Sequence, residues 1–375
     1  MAKMIPSHYD NLIIGFGKGG KTLAAWLAKR GEQVALVEMS DKMYGGACIN
    51  VACIPTKALI KKAEEGLPYQ KSYSLKNELT AFLRELNFQN LEKLPAATVI
   101  TGQASFVSPN EVLVKFSNGT EEKRIRASRI FINTGSQPFL PPIRGLDKTR
   151  NVFTSISLLE QSELPKDLII IGGGFIGLEF ADMYAKFGAE VTGLDSAETF
   201  LRSEDKDVAD EVYKVLAAKK INIVTAATVE KIDNTEDEKV RVQYKNKTGE
   251  TVIVQASALL VATGRKPMTD GLNLEAAGIM TNDKGYIAVD ESLKTNVPNI
   301  WAIGDINGGS QFTYISLDDF RIIRDQLSQA EYTIVRQRKL VASSVFITPP
   351  LAQIGLREHE AIEKGYDIKV AKLPA

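Results

Sequence analysis

The chain has 375 residues, 46 basic against 46 acidic, and a sequence pI near 6.8. That balance offers neither the footprint of a nucleic-acid groove nor a basic membrane-binding face, and the length allows two or more domains with full cores. No apolar run approaches the roughly eighteen residues of a membrane span, and Met1 to His8 lacks the apolar stretch of a signal peptide, so a cytosolic protein without nucleic-acid or membrane partners is expected.

Tyr9 to Ile14 reads as a short buried strand running into Gly15-Phe16-Gly17-Lys18-Gly19-Gly20. An amphipathic helix, Lys21 to Arg30, and a second strand, Gln33 to Val37, follow and end at Glu38. This is a βαβ pattern for a dinucleotide. Gly15, Gly17 and Gly20 let backbone approach a pyrophosphate, the helix start faces its charge, and Glu38 holds a ribose hydroxyl. A glycine motif alone says little; between two strands, a helix and an acid it outweighs the reading of a plain turn.

The next stretch, Gly45-Gly46-Ala47-Cys48-Ile49-Asn50-Val51-Ala52-Cys53-Ile54-Pro55-Thr56-Lys57, holds the only two cysteines of the chain. In a regular helix, residues five apart differ by about 7.5 Å of rise, whereas a disulfide wants its Cα atoms within about 6.8 Å. A bond between Cys48 and Cys53 therefore needs Cys48 on an irregular entry turn, which Gly45-Gly46 would permit. Pro55 suits the first turn of a helix running through Ile60, so both sulfurs lie near its positive end. That field, with Lys57 four residues beyond Cys53, favours thiolate. In a reducing compartment such a pair reads as reactive rather than as a staple. Zinc is the weakest alternative, because two thiolates without a neighbouring His are half a ligand set, and no metal is expected.

Lys61 to Leu94 carries Lys, Glu and Leu at helical spacing and reads as a helical arm. A β-rich excursion follows: Glu111 to Phe116, a turn at Asn118-Gly119, and Arg129 to Ile132, closing on Asn133-Thr134-Gly135. Pro138, Pro141 and Pro142 make a stiff crossing. The first pattern then returns as strand Asp167 to Ile171, turn Gly172-Gly173-Gly174-Phe175-Ile176-Gly177, helix Leu178 to Phe187, and strand Glu190 to Leu194 ending at Asp195. From first glycine to acid both copies count 23 residues. An acid at the second site favours a free ribose 2′-hydroxyl, hence NADH over NADPH.

The second copy also passes through strands, Val240 to Tyr244, Thr251 to Val254 and Ala258 to Val261, with a Thr248-Gly249 turn, and closes on Ala262-Thr263-Gly264. The halves read as a duplicated module, with the charged run Glu236 to Lys239 as a solvated loop. Asn299 to Asp305 reads as a buried strand ending in a Gly-Asp turn, and Ser316 to Glu331 as a helix. Val341 to Ala375 offers a strand (Ser344 to Ile347), Pro349-Pro350 and a helix (Arg357 to Lys364). It is too short to sustain a core unaided: it packs on the body or belongs to a cut domain.

These motifs together resemble the flavoprotein disulfide reductases, the family of glutathione reductase, dihydrolipoyl dehydrogenase and mercuric reductase. The resemblance rests on Gly15 to Gly20, the cysteine segment, Gly172 to Glu179, Thr263-Gly264-Arg265 and Ala302-Ile303-Gly304-Asp305, and it runs from Tyr9 to the end. Gly15-Phe16-Gly17-Lys18, Met43 to Gly46 and Gln311 to Asp319 are most similar to the branch that resists reactive chlorine and hypothiocyanite. The implied fold is α/β: two Rossmann-like FAD/NAD(P)-binding domains, as in glutathione reductase, with a truncated α+β C-terminal dimerisation domain. The expected ranges are 1–148 and 271–338 for FAD, 149–270 for NAD, and 339–375 for the start of the dimerisation domain.

The resemblance implies FAD on Gly15, Gly17, Gly20, Glu38, Gly46, Thr134, Gly135 and Gly304, with Ala104 near the adenine and Asp305 on the ribitol. It implies NADH across Gly172, Gly174, Ile176 and Gly177, with its ribose on Asp195 and Val229 and Gly264 alongside. Lys57 would sit beside the flavin, paired with Glu179. Electrons would pass from NADH through FAD to a Cys48–Cys53 disulfide, with Cys53 facing the flavin and Cys48 as the interchange thiol. The substrate would be a small oxidant such as hypothiocyanous acid, or a metal ion.

Ala47 and Ala52 stand where the family usually has Thr and Gly; at positive φ the Ala52 methyl would strain the redox helix. The family also implies a homodimer whose C-terminal domain supplies a His-Glu acid-base pair, whereas His8, in a leader, and His359, in a charged helix, read as surface residues. Dihydrolipoyl dehydrogenase or glutathione or mercuric reductase activity is the alternative within enzymes. A non-catalytic FAD/NADH redox sensor is the alternative outside them; it predicts that Cys48→Ser leaves oxidant consumption unchanged.

Overall fold

The computed structural model describes residues 5–117, 119, 121–330, 334, 335, 338 and 340–373. Of the sequence-stretches read above, Asn118 of the expected turn, Glu331 at the expected helix end, and the extreme termini lie outside the described residues. The chain divides into two compact units: 1–56, 74–137 and 265–338, and 57–73, 138–264 and 339–375.

The first unit is organised on strand β1 (His8–Ile14), which lies parallel to β2 (Val34–Glu38) on one side and to β5 (Glu122–Ile132) on the other. Strand β3 (Ala97–Ser108) extends the parallel order beyond β2, and β16 (Ile300–Ala302) extends it beyond β5. β3 and β5 are long enough to run on past the parallel sheet and pair antiparallel with β4 (Glu111–Phe116). β2 is buried along its whole length, as a strand covered on both faces must be. Helix α1 (Lys18–Lys29) buries Leu23, Ala24, Leu27 and Ala28, one stripe at 3.6-residue spacing. The stripe joins a core with Phe16, Leu36 and Ile323, the last from α8 (Thr313–Leu327).

The second unit repeats the plan. Its sheet is parallel throughout, in the order β10 (Asn222–Val224), β9 (Glu190–Leu194), β8 (Asp167–Ile171), β14 (Ala258–Val261), β7 (Val152–Thr154). An antiparallel excursion, β11 (Thr228–Asn234), β12 (Val240–Lys245) and β13 (Thr251–Ala256), corresponds to the first unit's β3-β4-β5. Helix α6 (Phe175–Lys186) is apolar around much of its surface, burying Leu178, Phe180, Met183 and Tyr184.

Several elements differ from the sequence reading. The arm read as one helix from Lys61 to Leu94 is two, α3 (Cys53–Glu64) and α4 (Tyr69–Glu92). Gly66 at φ +72° ends the first, and Pro68 prevents its continuation. His8 opens β1 rather than lying in a leader, opposite Arg126. Strand β11 and helix α7 (Lys206–Ala218) were not anticipated. The segment after Val341 forms a hairpin, β17 (Ala342–Val345) with β18 (Leu351–Ile354), and a short helix, Glu358–Glu363. Val345 and Ile347 enter the core of the second unit with Leu59, Leu178 and Tyr184, so this segment packs on the body. Among the described residues no helix is long and apolar enough to cross a membrane.

Candidate active site

Strand register brings the first-unit residues together. Ile14 lies opposite both Val37 and Ile132, so Gly15, Glu38 and Asn133 emerge side by side where the strand order reverses, the place at which open α/β sheets bind ligands. Gly15 is at φ +101°, and a Cβ there would collide with the Asn133 carbonyl. Glu38 is buried and accepts from the Phe16 N–H at 2.9 Å, while burial pushes its carboxyl above the ordinary range. Asn133, read from sequence only as part of a closing tag, is the clasp of this crevice. Its Oδ1 accepts from Gly20 N at 2.9 Å and its Nδ2 donates to the Ile303 carbonyl at 2.6 Å. A side chain on Gly17 would run into that amide. The only signal in the sequence was a polar residue straight after Ile130-Phe131-Ile132.

The same crevice takes Gly304 and Asp305. The Gly304 N–H donates to Asp319 Oδ2 at 2.7 Å, and Asp305 Oδ2 accepts from Ser136 Oγ at 2.7 Å. Ser136 is in turn held by Arg265, through Nε to its hydroxyl at 2.8 Å and Nη2 to its carbonyl at 2.6 Å. Three features fit a bound dinucleotide. The Thr134 hydroxyl is buried with no hydrogen-bond partner among the described residues. Gly135, at φ +76°, faces space with no described atom within 4 Å of a Cβ. Helix α1 starts at Gly17, which has no side chain to cap it; Gly19 N and Gly20 N are taken by Ser316 Oγ at 3.1 Å and Asn133 Oδ1 at 2.9 Å, so an anion meets the positive helix end at Gly17 and Lys18. Ala104 lies in the hydrophobic core on β3, so what it can offer an adenine is backbone.

The cysteine segment packs onto this crevice. Gly45 and Gly46 are at φ +93° and +83°, and a Cβ on Gly46 would sit 2.7 Å from Gly17 Cα. They lead into a one-turn helix, α2 (Ala47–Asn50), which carries Cys48 and ends at Val51, φ −139°. Cys53 then opens α3, so Cys48 does lie on a separate entry turn and the steric objection to i,i+5 pairing does not apply. Ala52 is absent from the left-handed residues, so its methyl brings no backbone strain. Cys53 Sγ is 3.7 Å from Thr313 Oγ1, at the start of α8. The Arg265 guanidinium, drawn below its usual value by burial, is held charged by Asp305, Tyr286 and Cys53, and so presents a cation to that sulfur.

In the second unit, Ile171 lies opposite Leu194 and Val261, aligning Gly172, Asp195 and Ala262. Gly172, φ +113°, abuts the Ala262 carbonyl as Gly15 abuts Asn133. Asp195 is fixed by its backbone N–H to Val224 O at 2.8 Å and by Ala197 N donating to its Oδ1 at 3.1 Å. Its other carboxylate oxygen occupies the space a Cβ on Gly173 would need, which explains the second glycine of the turn. Around Gly174 and Gly264 no described atom lies within 4 Å of a Cβ, and α6 starts at Gly174 without a side-chain cap. Val229 sits at a β-bulge between Val229 and Lys231. Ile176 and Glu179 lie in the first turns of α6 beside Gly177. Lys57 and Glu179 both reach Phe346, which sequence reasoning missed: the Lys57 ammonium is 3.8 Å from the ring centroid, and Glu179 Oε1 accepts from Phe346 N at 3.0 Å.

His8 is exposed, and His359 Nδ1 pairs with Asp205 Oδ1 at 2.7 Å on a half-exposed helix of the second unit. Among the described residues no group of three or more His, Cys, Asp or Glu side chains is gathered so as to hold a metal ion.

Residues 9–320 match the family model described as pyridine nucleotide-disulphide oxidoreductase. The chain is 47% identical over 366 residues to the probable pyridine nucleotide-disulfide oxidoreductase RclA of Escherichia coli (strain K12), covering 98% of this chain and 81% of that protein. It is 34% identical to a mercuric reductase of Lysinibacillus sphaericus, covering 98% and 68%, and 33% identical to a dihydrolipoyl dehydrogenase of Mycobacterium tuberculosis (strain ATCC 25618 / H37Rv), covering 98% and 81%. The solved structure of the HOCl-induced flavoprotein disulfide reductase RclA from Escherichia coli superposes with a TM-score of 0.92 at 46% identity, covering 98% of this chain and 82% of that one.

Proposed function

The chain belongs to the pyridine nucleotide-disulphide oxidoreductase family, whose members contain FAD and use NAD(P)H, and we propose that it is an NADH-dependent reductase of a small oxidant acting through Cys48 and Cys53. The observation that carries this reading is the packing of the cysteine segment on the first nucleotide crevice, with Gly46 against Gly17 and Cys53 in the field of Arg265. We assign residues 1–148 and 271–338 to FAD, 149–270 to NAD and 339–375 to the start of a dimerisation domain.

Bound FAD supplies one chemistry, two-electron transfer from nicotinamide to sulfur. The chain's own residues do the rest. The α1 start, Gly15, Gly17, Gly20, Gly46, Thr134, Gly135 and Gly304 would hold the FAD pyrophosphate and ring, with Glu38 on the ribose, Asp305 on the ribitol and the Ala104 backbone near the adenine. Gly172, Gly174, Ile176, Gly177, Val229 and Gly264 would frame NADH, with Asp195 accepting from the ribose hydroxyl and disfavouring a 2′-phosphate. Lys57, one turn after Cys53 on α3, and Glu179 would order the nicotinamide side.

Arg265 and the helix field keep Cys53 as thiolate, while Cys48 attacks the substrate. With hypothiocyanous acid, the Cys48 thiolate bonds the electrophilic sulfur and hydroxide leaves; the Cys53 thiolate then attacks Cys48 and thiocyanate leaves, regenerating the disulfide. The HOCl-induced relative and its Cu(II) complex support a small oxidant, with a metal ion as a second substrate of the same thiols. A cytosolic homodimer fits the family reading.

The test is anaerobic titration with NADH and, separately, NADPH, followed by visible spectroscopy. A long-wavelength thiolate–flavin band is expected at lower NADH than NADPH and is expected to vanish in Cys53→Ser. Equal bands in the parent and in Cys53→Ser would refute the role of Cys53; a reversed nucleotide preference would refute that of Asp195.

A further inference from the structure

We propose that Lys21 is a positioning residue for the Cys48 thiol: its ammonium, clamped between the Gly45 carbonyl and the Asn87 side chain, locks the turn that presents Cys48 and holds a positive charge beside it. This inference rests on the reading of Cys48 as the substrate-facing thiol.

Lys21 lies in the first turn of α1, where a cation is at odds with the helix dipole. Its head is nevertheless drawn inward, donating to Gly45 O at 3.0 Å and to Asn87 Oδ1 at 2.7 Å. Both acceptors are neutral, a backbone carbonyl and a side-chain amide. Burial, the largest influence, and the like charge of Lys18 pull Lys21 down to about 8, while Cys48 pulls the other way. The sulfur is therefore within electrostatic reach of an ammonium that is tied to two neutral acceptors. At pH 7 an amine of that value is still charged about ten to one.

The clamp is built as a unit. Helix α4 supplies Asn87 to Lys21 and, one turn earlier, Arg84, whose Nε donates to Asn50 Oδ1 at 2.9 Å. Asn50 in turn donates to Tyr44 O at 2.9 Å and Gly46 O at 3.0 Å. One face of α4 thus grips both ends of the one-turn helix that carries Cys48. A Cβ on Gly45 would lie 3.3 Å from Asn87 Cγ and 2.7 Å from Ile49 Cδ1, so the turn has no slack. The charged and titratable groups at this turn include Lys18 and Lys21 from α1, Arg84 from α4, Cys48 itself, and Tyr44, which opens the turn and feels Asp41, Glu38 and, from α4, Glu92.

The experiment is the rate of Cys48 carbamidomethylation by iodoacetamide between pH 6 and 9, read by mass spectrometry on flavin-loaded protein carrying Cys53→Ser. Adding Lys21→Met is expected to slow the reaction at pH 7 by about tenfold and to move the midpoint of the pH profile upward by about one unit. Lys21→Arg is expected to restore most of the rate, and Asn87→Ala, which keeps the charge but unties it, to fall between. A Lys21→Met profile within twofold of the parent at every pH overturns the proposal. If Lys21→Met fails to retain flavin, Asn87→Ala decides, and an unchanged profile there overturns it. Oxidant turnover by Cys48→Ser at the parent rate would instead overturn the reading of Cys48, which the alkylation profile does not depend on.

Discussion

The two nucleotide units share three glycines at the same spacing, Gly15, Gly17 and Gly20 against Gly172, Gly174 and Gly177, yet the crevices they frame differ, first of all in the residue that closes each one. After β5 the first has Asn133; after β14 the second has Ala262. Asn133 fills its crevice, bonds the Gly20 N–H and the Ile303 carbonyl, and presses on Gly17. Ala262 offers only a methyl, which packs on the core, and a Cβ on the corresponding Gly174 has no described atom within 4 Å. The acids differ in the same sense: Glu38 is buried and bonded to Phe16 N, whereas Asp195 is half-buried. A tight, prearranged crevice suits a group that stays, and an open one suits a nucleotide that arrives and leaves each turnover. A shared glycine pattern therefore states what is bound but not how long it remains.

The sharpest way to break this contrast is a matched pair of substitutions. Gly17→Ala drives a methyl into an amide that cannot turn aside without losing two buried hydrogen bonds, so a loss of roughly 3–5 kcal/mol in stability and failure to keep flavin on purification are expected. Gly174→Ala meets no neighbour and is expected to leave the melting temperature within about 2 °C, while raising the KM for NADH because the methyl occupies the space kept for the nucleotide. Equal damage from both in thermal melts and flavin content would erase the distinction between the units.

Asn133→Ala tests the clasp itself. It strands the buried Gly20 N–H and the Ile303 carbonyl, and about 2–3 kcal/mol should be lost in denaturant unfolding, with faster flavin release on dilution. Unchanged flavin release would mean that Asn133 shapes the turn without holding the cofactor.

The smallest effect concerns pH. Because burial raises the Glu38 carboxyl, the folded state keeps that proton to a higher pH than the unfolded chain does. Stability contributed by protonated Glu38 is complete below the unfolded value and declines as pH rises toward the raised folded value. Glu38→Gln should flatten that decline in melts taken from pH 4 to 7. A slope unaltered by the substitution would place its origin elsewhere.

Much of this was legible in the chain. The alternation of apolar runs with glycine turns, the equal spacing from Gly15 to Glu38 and from Gly172 to Asp195, and the two cysteines around Val51-Ala52 are local patterns, set by backbone sterics and strand burial. They determined the fold class, the duplication and the reactive pair. What they could not give is who stands opposite whom. Asn133 reaching Gly20, Arg265 facing Cys53, Phe346 meeting Lys57 and Glu179, and Lys21 gripping the Gly45 turn join residues from 24 to 289 positions apart, counting Gly45 less Lys21 and Phe346 less Lys57. Such pairings follow from strand register and helix packing. Both are decided by the burial of whole faces, to which a single polar side chain adds almost nothing before the chain has folded.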